Sequence, residues 1–145
     1  MALDEQRFLD QVDGDYHDHL EQLFDTSRAL DLRFEWGSKG TSIRLPTPDR
    51  AEPLSIAWVF PPGGVGWMGL TDLTLAYDFE SAKSTPSVAM ALESYVGKIG
   101  TIPGAKPAKA KNVEGWTLDP SIFKGHLENI IEAITQLVDS ANSVG

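Results

Sequence analysis

Apolar positions in the first part of the chain recur every three or four residues. Phe8, Val12, Tyr16, Leu20 and Leu23/Phe24 form one stripe, with acidic residues mostly on the other side. That spacing predicts an amphipathic helix over residues 4–27. Gly14 lies inside the pattern, where glycine costs about 1 kcal/mol relative to alanine. The period then changes to two. In Leu30–Trp36 the apolar Leu30, Leu32, Phe34 and Trp36 alternate with Asp31, Arg33 and Glu35. Thr41–Leu45 sets Ile43 and Leu45 against Ser42 and Arg44. Leu54–Phe60 groups Leu54, Ile56, Trp58 and Phe60, and Thr71–Phe79 groups Leu73, Leu75, Tyr77 and Phe79. Half-buried antiparallel strands alternate in this way. The turn residues Gly37–Gly40 and Pro46–Asp49 keep the connections short, so residues 30–79 read as a four-stranded meander.

Helical spacing returns after Thr85-Pro86. Val88, Ala91, Leu92, Tyr95 and Ile99 form a stripe over about residues 86–99. The last segment opens with Asp119, a natural N-cap, and Pro120, whose missing N–H is harmless at the first helical position. Phe123, Leu127, Ile130, Ile134, Leu137 and Ala141 then predict a helix over 119–142. The intervening Gly100–Trp116 is rich in Pro, Gly, Ala and Lys and reads as an exposed loop with a short strand available around Val113–Leu118. The expected fold is α+β: an N-terminal helix, a four-stranded antiparallel meander sheet, and two C-terminal helices packed on one sheet face, all in one globular domain spanning 1–145. Trp36, Ile43, Trp58, Leu73, Leu75 and Tyr77 should meet Phe8, Tyr16, Leu127, Ile130 and Ile134 in its core.

Charge narrows the function. The formal net charge is −9, and residues 1–25 alone carry −7 because Arg7 faces eight carboxylates. Direct binding to nucleic-acid phosphates needs clustered Lys and Arg and is disfavoured. No run reaches the roughly 20 apolar residues of a membrane helix, and the acidic first residues do not resemble a signal peptide. A soluble cytoplasmic protein is the expectation. The chain has no cysteine, which removes disulfides, thiolate metal sites and cysteine nucleophiles.

One stretch matches a cofactor motif. Gly64-Val65-Gly66-Trp67-Met68-Gly69 spells G-x-G-x-x-G. A dinucleotide loop requires a helix after the glycines, whose N-terminus receives the pyrophosphate. Here the following segment alternates with period two, so the glycines read as a hairpin loop and no cofactor is expected. Trp67 and Met68 would sit at its tip, either folded back over the sheet edge or, if exposed, forming an apolar contact patch for a partner.

Other constellations are weaker. Asp13–His17 and Asp15–His19 are i,i+4 pairs, yet His17 and His19 diverge on a helix, so a solvated acidic face is expected and no metal. Glu35/Lys39 and Glu80/Lys83 do not have the strand spacing of a metal-dependent nuclease. No G-x-S-x-G occurs, and Lys106, Lys109 and Lys111 read as a solvated tether. No catalytic set emerges.

Two functional expectations follow. The first is a small acidic, non-enzymatic interaction module that binds a basic protein partner through Asp10, Asp18, Glu21 and Asp25, with Trp67 and Met68 as apolar contacts. The alternative is a small-molecule binding domain, or an enzyme, whose site lies on the polar face of the sheet near Arg33, Glu35 and Arg44.

Overall fold

The computed structural model describes residues 2–12, 14–62, 66 and 70–142. Its elements, in chain order, are α1 (Glu5–Leu9), α2 (Gly14–Ala29), β1 (Arg33–Trp36), β2 (Thr41–Leu45), β3 (Leu54–Val59), β4 (Leu73–Asp78), α3 (Phe79–Lys83), α4 (Ala89–Gly100), β5 (Lys106–Pro107), β6 (Val113–Leu118), α5 (Pro120–Gly125) and α6 (Leu127–Asn142). The strands form one antiparallel sheet in the order β1-β2-β3-β4-β6-β5. The fold is therefore mixed helix and sheet, with a meander over its first four strands. The sheet has six strands rather than the expected four, because the segment between α4 and α5 returns to pair with β4.

The helix boundaries also differ from the periodicity reading. Residues 4–27 are two helices. Asp4 caps α1 by accepting from the Arg7 N–H at 2.8 Å, and Gly14 opens α2 at a φ of +63° that glycine adopts readily. Helix α2 ends at Ala29 in a Schellman turn. Asp31 takes φ +61°, the Leu32 N–H donates to the Ser27 carbonyl, and the Asp31 N–H donates to the Arg28 carbonyl. Leu30–Leu32 therefore close a helix instead of opening a strand. At the other end of the sheet, Asp78 accepts from the Glu80 and Ser81 N–H groups and starts α3. Phe79 thus begins a helix and is exposed. The expected helix over 119–142 is divided at His126, where φ −132° and ψ 23° interrupt the helical backbone.

One large apolar cluster joins Phe8, Tyr16, Leu20, Phe24, Leu92, Tyr95, Phe123, Ile130 and Ile134 to Ile43, Ile56, Leu73, Leu75 and Tyr77. Phe8 and Trp36 rings lie 5.6 Å apart, and Phe24 meets Phe34 edge-on at 5.6 Å. Trp116 donates from Nε1 to the Val96 carbonyl at 3.1 Å, tying β6 to α4.

Trp58 does not join that cluster. Ile43 pairs with Ala57, while the next residue, Arg44, pairs with Ser55, so Ile56 is an extra residue in β3. This β-bulge puts Ile56 and Ala57 together against the main cluster and reverses the alternation after them. Trp58 and Phe60 emerge on the opposite face, where they form a second cluster with Leu70 and Ala76. Ala108, Ala110 and Val113 pack against it. The register places Glu35, Ser42, Trp58, Thr74, Thr117 and Lys106 in one row across all six strands of this outer face.

Candidate functional site

The outer face carries a groove of about 470 Å³ at the β1–β2 end. Trp58 and Phe60 form its apolar wall, Glu35, Ser42 and Arg44 come from the polar sheet positions, and Lys39 comes from the β1–β2 turn. The turn is drawn against β3 because Gly40 has no side chain. A Cβ at Gly40 would fall on the Val59 carbonyl oxygen and lie 2.9 Å from Phe60 Cδ1. The groove thus depends on one glycine that lets two backbones meet. Arg44 Nε donates to Ser42 Oγ at 3.0 Å, which orients the guanidinium within the lining. Lys39 Nζ donates to the Gly66 carbonyl at 3.4 Å. Among the described residues, the Glu35 carboxylate has no ion-pair partner.

Arg44 and Trp58 also border a second cavity of about 230 Å³. Arg50, Glu52, Ser55, Asp78, Ser81 and Lys111 contribute its polar lining. The two hollows therefore adjoin across one arginine and one tryptophan. Ala76 of β4 and Gly115 of β6 pair in register on this face. A Cβ at Gly115 would collide with the Ala76 side chain and the Leu75 carbonyl.

Of the sequence-predicted ligand residues, Glu35 and Arg44 meet in the groove. Arg33 does not. It pairs in register with Arg44 but lines a separate depression with Arg28, Leu30, Asp31 and Pro46. Trp58 and Phe60 were missed as site residues because strict alternation assigned them to the core. The signal was present: Ile56-Ala57-Trp58-Val59-Phe60 is an unbroken apolar run, and such a run requires both faces of a strand to be covered.

The predicted acidic surface is partly engaged within the chain. Arg28 pairs with both Glu5 and Asp25. Lys124 pairs with Asp15 at 2.5 Å, and its ammonium holds the Asp15 carboxyl below the usual carboxylate range. Gln6 Nε2 donates to Asp10 at 2.9 Å. Asp18 and Glu21 are exposed beside His17, with His17 Nδ1 at 3.3 Å and 3.8 Å from their carboxylates. One ligand atom from each of these three lies within 4.8 Å of the others. All three occupy one turn of α2, with Asp18 and Glu21 exposed. His19 turns away to the Asp15 carbonyl and the Phe123 ring. Glu80 and Lys83 form an i,i+3 pair within α3 at 3.3 Å, an arrangement unlike a strand-borne nuclease site.

Trp67, Met68 and Asp13 lie outside the described residues, as does most of the G-x-G-x-x-G stretch. Its flanks are described. β3 and β4 pair antiparallel, and the Phe60 N–H donates to the Asp72 carbonyl at 2.9 Å. A strand returning on its neighbour stands where a dinucleotide loop needs a helix. Among the described residues, no helix is long and apolar enough to cross a membrane. No protein-family model matches the chain, and no curated protein or solved structure matches it significantly.

Proposed function

We propose that the protein is a small-molecule binding domain whose site is the groove on the outer sheet face. The observation that carries this reading is the meeting of Trp58 and Phe60 with Glu35, Ser42 and Arg44 around a hollow of about 470 Å³. That volume lies in the range of ligand pockets, and an apolar wall with a few fixed polar groups is their usual composition. Binding fits the lining better than catalysis. Among the described residues, the groove is lined by no histidine, and Ser42 Oγ accepts from Arg44 instead of facing a base. The test is a fragment screen read by backbone amide shifts in NMR. Hits should perturb Ser42, Arg44 and Trp58 together, and Ser42→Trp, which fills the groove, should abolish them. Hits that scatter over the surface, or that survive Ser42→Trp, would overturn the reading.

A second reading rests on the exposed Asp18 and Glu21 of α2. With Asp10 and Asp25 they would steer a basic protein partner onto that helix. Reversing these four residues to Lys should abolish capture of such a partner at low salt. Unchanged capture would refute it.

A further inference from the structure

The second cavity has an unusual electrostatic character for so acidic a chain. Four of the 12 Lys and Arg residues, Lys39, Arg44, Arg50 and Lys111, line the two adjoining hollows. Among the described residues, the acids that do so are Glu35, Glu52 and Asp78. Asp78 is already occupied, since its carboxylate caps α3. The local balance is therefore positive in a protein of net charge −9.

Lys39 reaches only the Gly66 carbonyl, and the cations of the second cavity lack anionic partners among the described residues. Among the described residues, neither Arg50 nor Lys111 has an ion-pair or hydrogen-bond partner, and Arg44 has only the Ser42 hydroxyl. Arg50 Nη1 is buried with its hydrogen-bonding capacity unused. Leaving a buried donor on a charged group unsatisfied is costly, and native structures normally supply an acceptor. Ser55 and Ser81 add hydroxyls to the same lining. Trp58 supplies the wall shared with the groove.

We infer that the second cavity receives the oxyanion of the ligand, a carboxylate or phosphate held by Arg44, Arg50 and Lys111, while an apolar or aromatic body lies along Trp58 and Phe60. This inference rests on the groove being a ligand site and specifies the class of ligand. Planar guanidinium groups match either oxyanion by paired N–H donors. Lys111 acts as a point charge at the rim.

The experiment compares phenyl phosphate, benzoate, benzyl alcohol and benzylamine by NMR titration of the intact chain. Phenyl phosphate or benzoate should bind roughly tenfold or more tightly than benzyl alcohol, the scale of one charged hydrogen bond. Their order tells phosphate from carboxylate. Arg50→Gln should remove that preference. Lys111→Gln, on an exposed segment, should reduce the preference without affecting folding. If benzyl alcohol or benzylamine binds the groove as tightly as the anions, the oxyanion assignment fails and the groove reading survives. If no probe perturbs Ser42, Arg44 or Trp58, both fail.

Discussion

Tyr95→Phe tests the feature that places the site. Tyr95 is fully enclosed, 1% exposed, and its hydroxyl donates to the Ile56 carbonyl at 2.8 Å. Ile56 is the extra residue of the bulge and has no ladder partner in β2 or β4. The tyrosine hydroxyl therefore supplies a hydrogen bond that the sheet does not. Removing one oxygen leaves little cavity, so the loss is dominated by hydrogen bonding. A net hydrogen bond contributes about 0.5–1.5 kcal/mol, and stranding a buried acceptor costs about 1–3 kcal/mol. The two figures overlap in origin, so the expected destabilisation is about 2 kcal/mol. At this chain length that corresponds to a Tm decrease of about 6–8 °C.

Urea unfolding of wild type and Tyr95→Phe measures the difference. The midpoint should fall while the slope stays constant, because the buried surface is unchanged. Amide shifts should change at Ile56, Ala57 and Trp58 more than in β1 or α6. A loss below about 0.5 kcal/mol with an unchanged slope would refute the anchoring role of the hydroxyl.

Other substitutions probe the site and the helix starts. Gly40→Ala forces a Cβ against the Val59 carbonyl and the Phe60 ring; chemical denaturation should show a loss on the order of 2–3 kcal/mol, with amide shifts concentrated along the groove, and a silent substitution would contradict the close approach. Asp119 accepts from the Ile122 N–H and from Ser121 Oγ, and these bonds hold its carboxyl below the usual range. Asp119→Ala should cost about 1 kcal/mol in urea unfolding at neutral pH. Because the folded pKa is depressed, that contribution is present at neutral pH and lost as pH falls through the folded value, so variant and wild type should converge in acid. All three tyrosines have raised pKa values, mainly through burial, and Tyr77 is pushed up to about 12 with Glu114 adding to the shift. The unfolded state loses these protons first, so stability should fall as pH rises from about 10. Tyrosinate absorbance should appear together with unfolding; ionisation of all three in a chain that keeps its native circular dichroism would refute this.

Much of the architecture was legible in the sequence because local chemistry and tertiary packing agree there. Asp119-Pro120 starts α5, and the stripe from Leu127 to Ala141 is the buried side of α6. The alternation in residues 33–45 survives in β1 and β2 because one face of each strand meets the main cluster. The division of the first helix at Gly14 was signalled by the glycine itself. β6 was harder to place. Its partner β4 lies more than 30 residues upstream, and long-range pairing leaves no local period to read. Its outer-face positions are Val113, Gly115 and Thr117, so the polar alternation that marks a strand is weak. Of the site, Glu35 and Arg44 were legible as polar strand positions, whereas Arg50 and Lys111 come from loops. Loop residues are brought to a site by packing that no periodicity encodes.

The bulge connects these outcomes. A strand of strict alternation through residues 54–60 would bury Leu54, Ile56, Trp58 and Phe60 on one side and present Ser55, Ala57 and Val59 on the other. The outer face would then have small side chains and no aromatic wall. One inserted residue exchanges the assignments beyond it. Ala57 and Val59 join the main cluster, and Trp58 and Phe60 cross to the face that already carries Glu35, Ser42 and Arg44. The exchange exposes two rings unless something covers them. Leu70, Ala108 and Ala110 pack there, leaving Trp58 7% and Phe60 4% exposed. That cover brings Lys111 beside Arg44 and Arg50. The aromatic wall and the cationic cavity therefore have one origin: a single unpaired residue in β3, held by a tyrosine from α4.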